Sequence, residues 1–238
     1  MGILAGVAAM SLRGLRTPAL SSAANEVASA VKMTRQMAIA SGRTMYLVFP
    51  VRSNALTTNS YRTYAIFEEV KPGQETRNPD STGAYVTNPI GGTSWFIPRT
   101  DWRVLADGVV ISSLAHTYYS STIHDGFAGL VLGEPRTRGI ADDAPEWDHF
   151  SLLLSTMNVR RPSDPGTPFV SLLNIPYIRF SSSGLAFAGS ADSAGLTLLS
   201  GFTQGDQIAV TGTNNFFVVE VDALVGRIRL RTPESYRP

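Results

Sequence analysis

Residues 2–42 of this 238-residue chain read GILAGVAAMSLRGLRTPALSSAANEVASAVKMTRQMAIASG, and this stretch decides the fold. It opens with an uncharged, mostly apolar run and carries no charge before Arg13. From Leu20 onward, small and apolar residues recur at alternating steps of four and three, which is typical of an amphipathic helix. These positions are Leu20, Ala24, Val27, Val31, Thr34 and Ala38. We expect the helix to end at Gly42, because glycine tolerates the left-handed conformation of a helix C-cap.

Pro18 lies inside this pattern, where a proline removes one backbone hydrogen bond and clashes with the preceding turn. Thr17-Pro18 can be read as an N-cap followed by the first helical position, which gives two helices with a joint near Arg16. One kinked helix is equally compatible with the sequence.

The apolar run at residues 2–12 is shorter than the roughly 20 residues that a helix needs to cross a bilayer. We therefore expect it to be the end of a longer membrane span. A signal peptide is the competing interpretation, but it has a basic region before its apolar core and a small-residue cleavage site after it. The chain begins directly with Met1-Gly2-Ile3, which favours the span.

Beyond Gly42 the sequence predicts short strands separated by turn residues. The predicted strands are 44–49, 61–70, 109–111, 149–157, 177–180, 185–187, 207–210, 216–221 and 227–231. Because no helical pattern lies between them, they should form an antiparallel sheet. The predicted fold class is α+β, in which a long N-terminal α-helix (1–42) packs its apolar stripe on an antiparallel β-sheet head (43–238). The head should carry long loop insertions at 51–100 and 133–148.

The composition limits the chemistry. Hydrophobic residues make up 43% of the chain, which is enough for a sizeable core, and a formal net charge of +1 argues against a whole-surface nucleic-acid binder. Cysteine is absent, which excludes disulfides, thiolate nucleophiles and zinc-thiolate sites.

Two patterns suggest catalysis or metal binding. Ser29-Ala30-Val31-Lys32 matches the S-x-x-K of penicillin-recognising enzymes, but its partner motifs are missing and both residues fall on the polar face of the helix. Asp142, Asp143, Glu146 and Asp148 form a weak calcium candidate. The histidines are His116, His124 and His149, and no spacing matches a known metal motif. We predict no enzyme activity, no cofactor and a solvated acidic loop.

Five fragments carry a further pattern: residues 2–8 (GILAGVA), 23–49 (AANEVASAVKMTRQMAIASGRTMYLVF), 105–109 (LADGV), 178–184 (IRFSSSG) and 226–229 (GRIR). The first resembles the end of the membrane span in type IV pilins and type II secretion pseudopilins. The second is similar to the helix-to-strand passage of H-type minor pseudopilins and FimT-like minor pilins. The last three resemble their L-P-x-G-V turn, I-x-F-x-x-x-G hairpin and closing G-R-x-R strand. Ala106 replaces the proline of the turn motif, and the prepilin peptidase motif of these families matches no residue here.

This resemblance implies a pilin-like fold and a non-enzymatic minor pilin or pseudopilin of a type II secretion or type IV pilus-like filament. The implied partners are other pilin subunits and the inner membrane, with the head in the periplasm or in an assembled filament. Helix packing is expected at Ile3, Leu4, Val7, Leu12, Leu20, Ala24, Val27 and Val31. Residues 101–150 hold eight acids against three arginines, and the last fourteen residues hold four arginines against one glutamate. We expect this acidic stretch and this basic tail to pair between neighbouring subunits.

Two other functions stay open. Arg227, Arg229 and Arg231 alternate, so on a strand their side chains share one face about 7 Å apart, while Ile228 and Leu230 face the core. In FimT-like minor pilins the G-R-x-R tail is linked to DNA capture, but an exposed edge strand that uses arginine against aggregation, or contacts to neighbouring subunits, also explains the arginines. An exported carbohydrate- or peptide-binding β-domain is the third possibility, suggested by Trp95, Trp102 and Trp147.

Overall fold

A computed structural model describes residues 2–50, 59–77, 85–112, 153–159, 170–187, 193–204, 207–222 and 225–231. Within these ranges the chain forms one helix and thirteen strands, which is the predicted α+β class. The strands are β1 Met45–Val48, β2 Thr63–Val70, β3 Glu75–Arg77, β4 Tyr85–Thr87, β5 Trp95–Pro98, β6 Arg103–Val104, β7 Val109–Ser112, β8 Leu153–Val159, β9 Val170–Phe180, β10 Ala186–Phe187, β11 Ser193–Gln204, β12 Gln207–Asp222 and β13 Ile228–Arg231.

The helix α1 runs from Gly2 to Ser41 and passes through Pro18 without a break, so the single-helix alternative is the observed one. Gly42 ends it with a positive φ of 65°. The N–H of Gly42 donates to the carbonyl of Ile39 at 3.3 Å, and the N–H of Arg43 donates to that of Ala38 at 3.2 Å. These two bonds form a Schellman motif, which gives hydrogen-bond partners to carbonyl groups that have none within the helix. In the described part of the chain, no helix is long and apolar enough to cross a membrane.

The larger sheet contains seven strands, and five of them close into a ring. β1 pairs with β2 and β9, β2 with β5, β5 with β8, and β8 with β9, so the order of strands returns to its start. β6 and β10 extend it from β2 and β9. The β5–β8 pair is parallel, with Phe96 opposite Val159, which corrects the prediction of purely antiparallel pairing.

The smaller sheet is antiparallel, with the strand order β13-β12-β11-β7, and β3 and β4 form a separate hairpin. The prediction of one sheet was therefore incomplete, because the other strands divide between a seven-stranded and a four-stranded sheet. The helix α1 contacts strands of both. β11 was not predicted at all, and the two strands expected at 207–210 and 216–221 are one strand, β12. The predicted insertion at 51–100 contains β2 to β5, while residues 133–148 lie outside the described ranges.

The main core lies between the apolar stripe of α1 and the two sheets. Its helix residues Leu20, Val27 and Val31 are fully buried, and each such side chain stabilises the fold by about 1.5–3 kcal/mol. Facing them are Met45, Leu47, Ile178 and Phe180 from the ring, and Leu196, Leu198, Val219 and Val221 from the smaller sheet. A second cluster, on the other face of β1, contains Tyr46, Val48, Phe67 and Phe96. β1 is apolar at all four positions because both its faces are covered.

Candidate interaction site

The residues predicted to pack between helices fall into two groups. Leu20, Ala24, Val27 and Val31 are fully buried against the sheets of their own chain, so their described contacts are intramolecular. Only the backbone of Ile3, Leu4, Val7 and Leu12 is described, and it belongs to α1. Among the described side chains of α1, Ala19 is the first that packs against the core.

The opposite side of α1 is exposed and follows the same alternation of three and four. Its exposed side chains include Ser22, Asn25, Ser29, Lys32, Gln36 and Ile39. The hydroxyl of Ser29 donates to the carbonyl of Asn25 at 2.8 Å, as serines often do within helices. Ser29 and Lys32 thus lie on the solvated face, as the sequence predicted for S-x-x-K.

Two charged helix residues depart from this solvated face and anchor α1 to the head. The first is Glu26, whose Oε1 accepts a hydrogen bond from the hydroxyl of Tyr64 on β2 at 2.8 Å. Burial raises the pKa of Tyr64 above its usual range, and the bond to Glu26 raises it further, because both favour the neutral phenol. The bond therefore ties the helix to the larger sheet at neutral pH.

The second anchor is Arg35, which lies between two glycine turns. Its Nε donates to the carbonyl of Gly184 at 3.0 Å, in the turn between β9 and β10. Gly226, in the turn before β13, comes so close that a Cβ there would lie 2.5 Å from Nε and 2.8 Å from Cδ of Arg35. A Cβ on Gly184 would lie 2.7 Å from Cδ1 of Ile39. Only glycine fits at Gly184, where φ is +81°, and at Gly226, where φ is +61°.

A buried carboxylate joins the segment after the helix to the larger sheet. Glu68 on β2 forms salt bridges with Nη1 of Arg43 at 2.6 Å and with Nη2 of Arg99 at 2.5 Å. Arg43 also donates to the carbonyl of Glu75, and Arg99 donates to the hydroxyl of Thr76 at 3.0 Å. Two guanidinium groups therefore compensate one carboxylate, as burial of a charge requires.

The inner face of the ring contains a cluster of tyrosines. Tyr46 packs against Phe96 and Tyr177 with ring centroids 5.1 and 5.0 Å apart. Its hydroxyl donates to Oε2 of Glu69 at 3.2 Å, and Ser94 donates to Oε1 at 3.0 Å. Burial raises the pKa values of Tyr46 and Tyr177, and the Glu69 carboxylate adds to both shifts. The hydroxyls of Tyr46 and Ser94 and the carboxylate of Glu69 therefore form their hydrogen bonds with one another inside the fold.

Arg229 and Arg231 lie on β13, an edge of the smaller sheet in the part of the chain that is described, and Arg227 lies directly before this strand. Arg227 and Arg229 are exposed, and Ile228 packs against the core, as the alternation predicted. Arg229 lies opposite Glu220 on β12, and its Nη1 is 4.0 Å from Oε1 of that buried carboxylate. Leu230 is 37% exposed, so its predicted place in the core was wrong, because this edge strand leaves it open to solvent. The side chain of Arg231 is not described.

Of the remaining candidates from the sequence, two tryptophans lie in the described part of the chain, and both pack against apolar neighbours. Trp95 is buried beside Val70 and Ile97, and Trp102 packs against Phe67 with ring centroids 5.7 Å apart. Trp147, the three histidines and the acidic cluster Asp142, Asp143, Glu146 and Asp148 lie outside the described residues. Among the described side chains, no group of acids or histidines could hold a metal ion.

The sequence identified the glycines of two turns and the polar face of the helix, but it did not connect them. The residue that was missed is Arg35, which connects Gly184 and Gly226. Nothing in the local pattern around Arg35 shows that two distant turns meet its side chain.

No model of a protein family matches the chain, and comparison with characterised protein sequences gives no match. Among solved structures, the chain is similar to the minor pseudopilin EpsH from the Type 2 Secretion System of Vibrio cholerae, in two determinations. One is 12% identical, with a TM-score of 0.35, and the match covers 90% of this chain and 97% of EpsH. The other is 13% identical, with a TM-score of 0.37, and covers 91% and 98%.

Proposed function

We propose that the chain is a non-enzymatic pilin-like subunit, of the minor pilin or pseudopilin kind, in a type II secretion or type IV pilus-like filament. Its N-terminal helix assembles with the helices of other subunits, first in the inner membrane and then in the filament. Its β-rich head faces the periplasm or the exterior.

One observation carries this proposal: the fragments that resemble pilins meet on the helix. Leu105 and Val109 of the L-A-D-G-V turn are buried in the core that faces α1. Ile178 and Phe180 of the I-x-F hairpin lie in the same core, and Ile228 of the last strand packs against it. The glycines that end the hairpin and begin the last strand contact Arg35. Fragments that are scattered in the sequence therefore serve one purpose, which is to hold a long helix on a head.

The arrangement supplies the two parts that such a subunit needs. The described contacts of the head hold α1 from Ala19 onward, and the same helix continues over residues 2–17, a length of about 24 Å. This segment carries the apolar run, whose burial against lipid or other helices would be the main source of assembly free energy.

The test is the replacement of two apolar residues in this segment, Leu4→Arg with Val7→Arg. An arginine costs up to about 2.5–3.5 kcal/mol at the centre of a membrane-spanning helix and less toward its end, so two arginines should weaken the association and the variant should leave the membrane and filament fractions. Asn25→Arg, on the exposed face beside the head, is the matched control and should stay with the wild type. If the two variants fractionate alike, the helix is not the assembly element.

DNA binding by the tail is the second candidate, favoured by the exposure of Arg227, directly before β13, and of Arg229 on that strand. Nearby Glu220 offsets part of the charge of Arg229, so Arg227 should contribute more. Arg227→Gln should weaken DNA retention and reduce the slope of log K against log salt by about one unit. Arg103→Gln, another exposed arginine on a strand, is the control. Equal retention by both variants would exclude the tail as a DNA site.

A further inference from the structure

The two glycine turns beside Arg35 also bring three apolar side chains to the surface. Ile39 at the end of α1, Leu185 directly after Gly184, and Val225 directly before Gly226 are 47%, 40% and 57% exposed. We call these three side chains the turn patch. They come from three separate segments, and apolar groups gathered in this way mark interaction sites more often than scattered ones do.

The turn patch has a rigid support. The carbonyl of Gly184 lies 3.1 Å from the position of a Cβ on Gly226, so the two turns touch each other as well as Arg35. The N–H of Leu185 donates to the hydroxyl of Ser181 at 3.2 Å, and the N–H of Val225 donates to Oδ1 of Asp222 at 3.1 Å. A partner that binds here would therefore find the surface already ordered, which lowers the entropic cost of binding.

The charges beside the turn patch are mostly positive. Lys32 and Arg35 lie on the helix within two turns of Ile39, and Arg227 follows the glycine of the second turn. Asp222 is the carboxylate of that same turn, and its side chain already accepts the N–H of Val225. Among the described residues beside the turn patch, three cations against one carboxylate favour a partner that is acidic as well as apolar.

We propose that the turn patch binds the acidic segment 142–148 of a second copy of this chain, an inference that rests on the proposed filament function. The segment reads DDAPEWD, with four carboxylates, no base and one tryptophan. Trp147 supplies an apolar ring of the type that anchors interfaces and attracts cations, and the acids match the surrounding charge. The segment lies outside the described residues, so its sequence alone provides this match.

We assign the partner to a second copy because the turn patch is exposed and the acidic segment of this same chain matches its charge. A contact between the patch of one copy and the segment of the next is heterologous, so each added copy presents a new patch and a new segment. Such a contact continues along a filament, where the helices supply the main association and the heads set the register.

The absence of cysteine makes a direct test possible. Purified chains carrying Val225→Cys are mixed with differently tagged chains carrying Ala144→Cys, and a short bis-maleimide is added. We expect a cross-linked pair of the two chains at about tenfold higher yield than with Ile90→Cys, a 91% exposed position on another loop. The yield should fall in about 1 M salt, where charges are screened beyond about 3 Å.

A charge exchange separates recognition from chance proximity. Lys32→Glu with Arg227→Glu should reduce the cross-link about tenfold, and Asp142→Lys, Asp143→Lys and Glu146→Lys in the other chain should restore it. A yield no higher than that of the Ile90→Cys control would overturn the proposal. A chain that carries both Val225→Cys and Ala144→Cys tests for the same contact within one chain. Cross-linking that occurs only in this doubly substituted chain would also overturn the proposal. If the helix variants lose assembly while the cross-link is absent, the subunit function stands and only the patch is wrong.

Discussion

Arg35 of the helix donates a hydrogen bond from Nε to the backbone carbonyl of Gly184, at 3.0 Å and across 149 positions of the sequence. The same side chain packs against the turn at Gly226, so one helix residue joins α1 to the ends of two sheets. The bond explains why a charged residue on this helix is only partly exposed.

Replacing Arg35 should destabilise the head. Arg35→Ala removes the bond to Gly184 and leaves space between the two turns, for a loss of about 2 kcal/mol. In a chain of this size that corresponds to a fall in Tm of about 4–8 °C. Lys32→Ala, one turn earlier and exposed, should change stability by less than about 0.5 kcal/mol. Urea denaturation measures both, and equal losses would show that Arg35 does not join the turns.

Gly184 and Gly108 form a matched pair, because their φ values are +81° and +82°. Alanine strains the backbone equally at both, but only at Gly184 does its Cβ meet another atom, Cδ1 of Ile39 at 2.7 Å. We therefore expect Gly184→Ala to cost about 1–2 kcal/mol more than Gly108→Ala. Thermal unfolding of the two variants gives the difference directly. A difference near zero would mean that Ile39 moves aside freely.

The removal of the buried charge at Glu68 should also destabilise the fold. Glu68→Gln leaves Arg43 and Arg99 beside each other without a carboxylate, and breaking a buried ion pair costs about 3–5 kcal/mol. Because both arginines keep some exposure to water, we expect the lower part of this range. Glu75→Gln is the control, since Arg43 contacts only the backbone carbonyl of Glu75. Similar stability of the two variants in urea would contradict the network.

Stability should fall in alkaline solution because of three tyrosines. Burial raises the pKa of Tyr46, Tyr64 and Tyr177 above the ordinary value of 10 in the folded chain. Between pH 10 and the folded pKa values, the folded state binds more protons than the unfolded state, so the free energy of unfolding decreases as pH rises. Their contribution is complete below pH 10. Titration followed by phenolate absorbance should show Tyr46, Tyr64 and Tyr177 ionising late, together with unfolding. Ionisation of these three tyrosines near pH 10 in a folded chain would refute this.

The helix and its stripe could be predicted because they depend on local periodicity. The steps of three and four from Leu20 to Ala38 and the C-cap at Gly42 need no knowledge of distant residues. Strands rich in β-branched and aromatic residues, such as β1 and β2, were found for the same reason.

The division into two sheets could not be predicted, because strand pairing is non-local. β11 was missed because its sequence, SAGLTLLSGFTQ, contains the small residues that usually indicate turns. The position of Arg35 was missed for a related reason. Lys32 and Gln36, the polar residues nearest to it on the same face of the helix, are exposed, and the close approach of Gly184 and Gly226 withdraws Arg35 from water.

If the helix binds the chain into a filament, fractionation of the cells that produce the chain should show it. We expect wild-type chain in the membrane and sheared-filament fractions. The Leu4→Arg/Val7→Arg variant should lose this association while its head unfolds at the wild-type Tm. Wild-type chain found entirely in the soluble fraction, or a variant that fractionates like the wild type, would contradict the account.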